Sequence, residues 1–276
     1  MKKSMIVALV LAGALTGALY HLPKVIVDDQ AKQSRGVALN QSTSDSSVNP
    51  AAHPIVPLSA EQAAVVDQLR SAYLTNTDKE KKGSFADSLA TAFARLGQPD
   101  SAARYLEVVA TLKPSEANLL RAANGYYEAF SFAADAGKAS QLGGKARDYY
   151  QKVLAIRPEL LEVKAKMAMT YVTSDNPMQG IALLREVIAK DPNHELALFN
   201  LGLLSIRSGQ YDKAIERFER ILELNSDNGQ AQFYLGMSYA ETGRKQEAKR
   251  LFNLVKQKET DPAILASATE YLKKLD

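Results

Sequence analysis

The most constraining feature of this sequence is a pattern that occurs twice in residues 195–262. Segment 195–202 reads ELALFNLG, and segment 229–236, which begins 34 residues later, reads GQAQFYLG. The same spacing separates four further pairs: Gly209 and Gly243, Ala214 and Ala248, Phe218 and Phe252, and Ile221 and Val255. A fixed period of this length predicts a repeat architecture, in which each unit buries its apolar face against its neighbours.

Each copy of the pattern contains two stretches with helical periodicity. Their apolar residues recur every three or four positions, which places them on one face of a helix. In the first copy they are Leu198, Leu201 and Ile206, followed by Ile215, Phe218, Ile221 and Leu222. The small residues Gly202 and Ala214 allow the two helices to approach closely. Gly209 is placed to end the first helix, as glycine commonly does.

These repeated positions resemble those of the tetratricopeptide repeat (TPR) family. The matching residues are Leu201, Gly202, Gly209, Tyr211, Ala214 and Phe218 in the first copy, and Leu235, Gly236, Tyr239, Gly243, Ala248 and Phe252 in the second. Several defined positions match at one spacing, twice in tandem. The resemblance implies an all-α fold, a right-handed α-solenoid of helix pairs.

The same spacing extends the repeats towards the N-terminus. Pro192 and Pro158 are 34 residues apart, and Gly180 and Ala146 occupy the small position of Ala214. We therefore expect five units, in residues 83–116, 117–160, 161–194, 195–228 and 229–262. The 117–160 unit has about ten extra residues around 133–144, and Gly137, Gly143 and Gly144 predict that these residues lengthen the loop between its two helices.

One further helix is expected at each end of the repeat domain, which we place in residues 59–276. Ser59 followed by Gln62 is a capping-box pattern, and the residues behind it form an apolar stripe: Ala63, Val66, Leu69 and Tyr73. A charged turn is expected over residues 75–83. Residues 263–276 are interpreted as a C-terminal capping helix, which would cover the exposed face of the last repeat. Asp261 and Pro262 are typical of its first turn.

Residues 1–27 predict a transmembrane helix that acts as a signal anchor. Lys2 and Lys3 precede an uncharged run over residues 4–22, which as a helix would span roughly 28 Å, close to the ~30 Å hydrocarbon core. Positive charge at this end predicts a cytoplasmic N-terminus and an extracytoplasmic repeat domain, in the periplasm at the inner membrane. The alternative is a signal peptide cleaved near Ala18, with secretion to the periplasm. Apolar residues continue past that point, which favours the anchor.

Residues 28–58 predict a disordered linker between the anchor and the repeats. The segment is rich in Ser, Asn, Gln and Asp and has few large apolar residues, so it cannot bury enough surface to fold. A random coil of ~30 residues has an r.m.s. reach of about 30 Å.

Composition and motifs argue against catalysis and nucleic-acid binding. The 34 Lys and Arg nearly balance the 31 Asp and Glu, so no basic surface for nucleic acid is expected. Cysteine is absent, and the three histidines are His21, His53 and His194. Segment 191–195 (DPNHE) could be drawn as a metal site, but we interpret it as an inter-repeat turn with helix-capping side chains. No catalytic or phosphate-binding motif occurs. We expect no enzyme activity, no cofactor, no metal and no small-molecule substrate.

The TPR resemblance also implies a binding surface. In that family the first helix of each pair lines a concave groove, and its fifth and ninth positions commonly contact peptide ligands. Here these positions hold Ala165 and Met169, Phe199 and Leu203, and Phe233 and Met237. A branch of the family binds C-terminal carboxylates with Lys at the fifth and Asn at the ninth position, which these residues do not match. The apolar stripe instead suits an amphipathic helix or an extended apolar segment.

Two alternatives for this stripe and two for the function remain open. The stripe either binds a partner or packs against a neighbouring repeat or the chain's own N-terminal helix. The leading functional hypothesis is a membrane-anchored extracytoplasmic TPR scaffold that mediates protein–protein interaction through a concave apolar groove. The alternative is a chaperone-like accessory that binds extended segments of exported client proteins, as TPR proteins of cytochrome maturation do.

Overall fold

The computed structural model describes residues 59–172 and 174–276, so the predicted anchor and linker, with His21 and His53, lie outside the described residues. The described residues form twelve α-helices and no strand. No helix among them is long and apolar enough to cross a membrane. In chain order they are α1 (Ala60–Thr75), α2 (Lys79–Arg95), α3 (Pro99–Leu112), α4 (Glu116–Ser131), α5 (Ala136–Ile156), α6 (Leu161–Val172), α7 (Pro177–Lys190), α8 (Glu195–Arg207), α9 (Tyr211–Leu224), α10 (Gly229–Glu241), α11 (Lys245–Lys258) and α12 (Pro262–Leu275).

Polar side chains cap the first helix of most pairs. The pairs are α2 with α3, α4 with α5, α6 with α7, α8 with α9 and α10 with α11. The capping residues Asp78, Ser115, His194 and Asn228 each accept a hydrogen bond from a backbone N–H in the first turn. For His194 the acceptor is Nδ1 and the donor is the N–H of Ala197, 3.4 Å away. The capping interpretation of segment 191–195 is therefore confirmed.

A glycine in the left-handed conformation ends the first helix in three of the pairs. Gly97, Gly209 and Gly243 have φ angles of 67°, 71° and 77°. After α8, the N–H of Gly209 donates to the carbonyl of Ile206, and the N–H of Gln210 donates to the carbonyl of Ser205 at 2.8 Å. These are the two hydrogen bonds of a Schellman motif, so the predicted role of Gly209 is confirmed.

The extra residues of the 117–160 unit lengthen a helix rather than a loop, which corrects the sequence-based expectation. The connection between α4 and α5 is short, and α5 has 21 residues and begins directly after its N-cap Asp135. Gly143 lies inside α5, where a Cβ would come within 3.2 Å of the Phe130 ring. Gly143 therefore lies in a close contact between α4 and α5, not in a turn.

The turn between α1 and α2 is also shorter than expected. It covers only residues 76–78, because Asp78 caps a helix that begins at Lys79. Gly83 consequently lies in the second turn of α2, where the aliphatic part of Lys113 packs over it. The first unit thus begins four residues before the expected boundary at 83.

The described residues divide into two compact units, an N-terminal unit (59–180) and a C-terminal unit (181–276), with the division inside α7. In the N-terminal unit α1 packs on the repeats through a cluster of Val66, Leu89, Phe93 and Ala102. The Ser59 and Gln62 capping box is present. In the C-terminal unit α12 is capped by Asp261 as predicted, and its Tyr271 stacks on Phe252 with ring centroids 5.0 Å apart.

Candidate functional site

The inner face is defined here as the surface at the fifth and ninth positions of the first helices. Of the six residues predicted to bind a partner there, Ala165 and Met169 are fully buried in the N-terminal unit. Neither side chain offers a contact surface. Leu203 in the C-terminal unit is 8% exposed, while Phe199 and Met237 are partly exposed.

Phe233 lies among other rings rather than in a groove. Its side chain is 8% exposed, and its centroid is 5.3 Å from Tyr234, 5.8 Å from Phe252 and 6.3 Å from Tyr271. These separations are those of favourable aromatic pairs. For Phe233 the geometry corresponds to the packing alternative.

Phe199 begins the same set of contacts. Its centroid is 5.7 Å from both Phe218 and Tyr234, and Phe218 in turn stacks on Tyr234. We call the whole set the aromatic ladder: Phe199, Phe218, Tyr234, Phe233, Phe252 and Tyr271. It runs through α8, α9, α10, α11 and α12, so it links each helix pair of the C-terminal unit to the next element.

Glycines make room for the ladder. A Cβ built at Gly202 would lie 2.6 Å from Cζ of Phe218, and one at Gly236 would lie 3.1 Å from Cε1 of Phe252. Phe218 and Phe252 are fully buried. The small residue of the first helix therefore receives a ring of the second helix, which explains the paired glycine and phenylalanine of the repeat.

The inner face of the N-terminal unit has different chemistry. Asp87 and Thr91 on α2 stand 112 residues before Phe199 and Leu203, which is three repeat periods plus the insertion. The helices also have a different spacing. α8 contacts α10, and α4 contacts α6, but in the part of the chain that the structure describes the backbones of α2 and α4 are not in contact.

The gap between α2 and α4 is an open hollow of about 250 Å³, called the α2–α4 hollow. Ala102 and Leu106 of α3 form its floor. Its walls are Ala90, Thr91 and Ala94 of α2 and Arg121, Asn124, Gly125 and Glu128 of α4. At Gly125 a Cβ would lie 2.7 Å from Cδ1 of Leu106. α4 therefore packs closely on α3 but not directly on α2.

An ion pair bridges the hollow at one side. The Arg121 guanidinium on α4 donates to the Asp87 carboxylate on α2. Both side chains are nearly half exposed, so the pair stabilises the fold only weakly. Its clearer consequence is that the Arg121 charge is already neutralised inside the protein.

Two other polar groups of α4 face the hollow with unused hydrogen-bonding capacity. The hydroxyl of Tyr150 donates to Oδ1 of Asn124 at 2.9 Å, which leaves the Nδ2 donors of that amide. Glu128 is half-buried, and burial raises the pKa of its carboxyl group. Within residues 59–172 and 174–276, no group donates a hydrogen bond to this carboxylate or forms an ion pair with it. A partly desolvated acid of this kind gains stability from a cationic partner.

A second polar cluster joins successive pairs away from the hollow. Glu107 of α3 accepts hydrogen bonds from the hydroxyls of Tyr126 and Tyr149 and, at 2.7 Å, from Nζ of Lys145. Burial opposes the charged form, but these donors outweigh it and lower the pKa of Glu107. Burial and the bond to Glu107 raise the pKa of Tyr149 to about 12. This carboxylate is fully satisfied, so it is a structural contact rather than a binding site.

The corresponding contact in the C-terminal unit uses the equivalent repeat position. Glu219 of α9 accepts a hydrogen bond from the Tyr239 hydroxyl, and the Arg244 guanidinium lies 4.1 Å from the centre of that ring. Burial and the bond to Glu219 raise the pKa of Tyr239 to about 12. A Glu, a Tyr and a cation thus connect neighbouring helix pairs in each unit.

The sequence analysis did not identify the residues that line or border the α2–α4 hollow, although the repeat spacing points to two of them. The same spacing that assigned Phe199 and Leu203 also reaches Asp87 and Thr91. Asn124 and Glu128 were harder to find, because the insertion obscures the repeat register of α4. No sequence pattern shows that α2 and α4 are separated.

Comparisons with known proteins identify the repeat type. Sequence profiles described as "Tetratricopeptide repeat" match residues 205–270 and residues 183–216. The chain therefore contains TPR repeats. A relative named "TPR repeat-containing protein YpiA", from Bacillus subtilis (strain 168), is 27% identical over 156 residues, or 56% of this chain and 34% of the relative. The chain spans about a third of the length of that protein.

Solved structures show the same fold. A tetratricopeptide repeat protein from Parabacteroides merdae ATCC 43184 superimposes with a TM-score of 0.57 and 16% identity, over 78% of this chain and 82% of that one. A thermophilic TPR protein from Thermus thermophilus, TTC0263, superimposes with a TM-score of 0.51 and 18% identity, over 69% and 98% of the two chains. The fold is thus an α-solenoid of TPR type.

Proposed function

We propose that this chain is a TPR scaffold that binds a protein or peptide partner, with the α2–α4 hollow as its principal contact. The observation that carries the proposal is the open gap between two first helices, whose lining includes the Glu128 carboxylate without a hydrogen-bond or ion-pair partner among the described residues. The TPR fold supports an interaction role in general terms, but many functions share it. The assignment therefore rests on the site.

The hollow can be tested by filling it. Ala94 is exposed on the wall of the hollow, so Ala94→Arg adds a long charged side chain there without entering the core. Ala64→Arg, at an exposed position of α1, is the matched control. After cross-linking in cells, we expect Ala94→Arg to lose the partner recovered with the wild-type chain and Ala64→Arg to retain it. Equal recovery with both variants would exclude the hollow as the contact.

The apolar stripe predicted in the C-terminal unit is proposed as a secondary contact only. Phe199 and Met237 keep some exposed surface, whereas their neighbours Leu203 and Phe233 contribute mainly to packing. A partner that crosses this unit would therefore meet two apolar side chains rather than a continuous apolar groove.

We further propose that the scaffold is anchored in the inner membrane and that its repeats are extracytoplasmic. This part rests on residues 1–27, where Lys2 and Lys3 precede the uncharged run. A phosphatase reporter fused after Asp276 is expected to be active outside the cytoplasm, and the mature chain is expected to begin at or near Met1. A mature chain that begins at Leu19 would support cleavage instead. An inactive reporter would contradict both forms.

The chaperone-like alternative predicts a different set of partners. A pull-down of the full chain from a detergent extract should recover one stoichiometric protein if the chain is a scaffold. Many partly folded exported proteins in small amounts would favour the chaperone-like role.

A further inference from the structure

We propose that the α2–α4 hollow takes the side chain of a lysine or arginine in an extended segment of the partner. This inference rests on the proposed function, because it names the chemistry of the partner at the same site. Three observations support the inference: the charge of the hollow, the residues that line it and its size.

The charge of the hollow is negative by one unit. Arg121 and Asp87 neutralise each other through their ion pair, and Glu128 remains without a counter-ion among the described residues. A cation bound next to Glu128 would offset the cost of its partial burial. An acidic group would instead meet Glu128 and could reach Arg121 only by competing with Asp87.

The lining of the hollow suits a side chain that is apolar along its length and charged at its end. Ala90, Ala94 and Leu106 provide an aliphatic surface, and Glu128 lies on the α4 wall. Lys and Arg have this division between an apolar stem and a charged head.

The size and the remaining donor indicate an extended segment rather than a free small molecule. A hollow of about 250 Å³ is below the 300–1,000 Å³ typical of small-molecule sites, so it accommodates about one side chain. The Nδ2 of Asn124 donates to no described group, because the hydrogen bond from Tyr150 engages only Oδ1. A backbone carbonyl of a bound segment can accept that hydrogen bond.

The inference also predicts how binding depends on pH. Burial raises the pKa of Glu128, and a bound cation favours the charged carboxylate. Affinity for a basic segment should therefore increase as the pH rises through the titration of Glu128 and level off above it. Substitution of Glu128 by glutamine should abolish this dependence.

The test uses three probe peptides with the sequence acetyl-Ala-Ala-X-Ala-Ala-amide, where X is Lys, Gln or Glu. Binding to the full chain is followed by NMR at the Thr91 and Asn124 amides. We expect the Lys peptide to bind about tenfold more tightly than the Gln peptide, as for a hydrogen bond to a charged group. Glu128→Gln should remove this difference. Glu61→Gln, on an exposed part of α1, should preserve it.

A thermal melt provides the folding control, because Glu128→Gln removes an unpaired acid and should leave the protein at least as stable at neutral pH. Equal binding of the Lys and Gln peptides, or no binding of the Lys peptide, would overturn the inference. Tightest binding of the Glu peptide, lost in Arg121→Gln, would show that the hollow takes acids instead. The proposed function is decided separately by partner capture with Ala94→Arg, which does not depend on the charge of the probe.

Discussion

The two units of this protein share one repeat, but α2 and α4 of the N-terminal unit have a different inner face from α8 and α10 of the C-terminal unit. In the N-terminal unit Asp87 and Thr91 border an open hollow with both aliphatic and polar groups in its lining. At the equivalent positions of the C-terminal unit, Phe199 and Phe233 are part of the aromatic ladder. Polar caps and left-handed glycines occur in both units, although α2, α4 and α5 are longer than the corresponding helices of the C-terminal unit. The repeat therefore determines the helix pair. The residues at the inner positions determine whether that pair presents an open surface or a packed one.

The spacing of the first helices accounts for the difference. α8 and α10 contact each other, and rings from both helices fill the space between them, whereas α2 and α4 are joined only through side chains. Large rings bury much apolar area and favour close contact. An exposed ion pair contributes little to stability, so it does not hold α2 and α4 together. The hollow therefore lies between two first helices that do not pack directly against each other.

The largest expected effect compares equivalent positions in the two units. Phe233→Ala removes a ring that is 8% exposed, and we expect a loss of about 3–5 kcal/mol in the free energy of unfolding, as for other buried aromatic residues. Asp87→Ala, at the corresponding position of α2, should cost at most ~1 kcal/mol. Native-state hydrogen exchange measures each unit separately. A Phe233→Ala protein as stable as the wild type would restore the hypothesis of a free apolar stripe.

A smaller loss of stability is expected when the glycines that contact the Phe218 and Phe252 rings are replaced. Gly202→Ala places a methyl group against Phe218, and Gly236→Ala places one against Phe252 with more space. We expect a loss of ~1–3 kcal/mol for Gly202→Ala, typical of overpacking, and a smaller loss for Gly236→Ala. Both can be measured by urea unfolding followed by circular dichroism.

Gly144→Ala is the control for these glycines. Gly144 lies in α5 of the N-terminal unit, and the atom nearest to a Cβ added there would be Nη2 of Arg147, at 3.6 Å. Without a clash, the reduced freedom of the unfolded chain should stabilise the protein by up to ~1 kcal/mol. Equal losses of stability in Gly144→Ala and Gly202→Ala would show that the loss at Gly202 does not come from its contact with the Phe218 ring.

The smallest expected effect concerns pH. The pKa of Glu107 is lowered against the opposing effect of burial, so its stabilising contribution is present above the ordinary value of ~4.3 and is lost as the pH falls through the lowered value. Glu107→Gln should therefore reduce the melting temperature at pH 7 by an amount equivalent to at most ~1 kcal/mol. The difference from the wild type should narrow below about pH 4.

Glu219→Gln makes the same change at the equivalent position of the C-terminal unit. Fewer donors surround Glu219, since its one side-chain donor among the described residues is the Tyr239 hydroxyl. We expect its effect at pH 7 to be smaller than that of Glu107→Gln. The reverse order would mean that Lys145 and Tyr149 do not strengthen the contact at Glu107.

The sequence by itself determined the local structure of the repeats. Side-chain caps such as His194 and the left-handed Gly209 depend on a few neighbouring residues, so their patterns can be recognised without a structure. The 34-residue period places equivalent residues on equivalent helices for the same reason. The C-terminal helix could also be predicted, because a terminal repeat exposes an apolar face that a further helix must cover.

Only the tertiary structure decided what the inner positions do. The burial of Phe233 depends partly on how closely α12 approaches α10, and the opening beside Glu128 depends on the distance between α2 and α4. In both cases a complete helix separates the two helices in the chain. Gly143 of α5 likewise predicted a loop, because glycine suits both a turn and a close helix contact. Local sequence determines how each helix begins and ends, but the distance between non-adjacent helices is set by the packing of all the side chains between them.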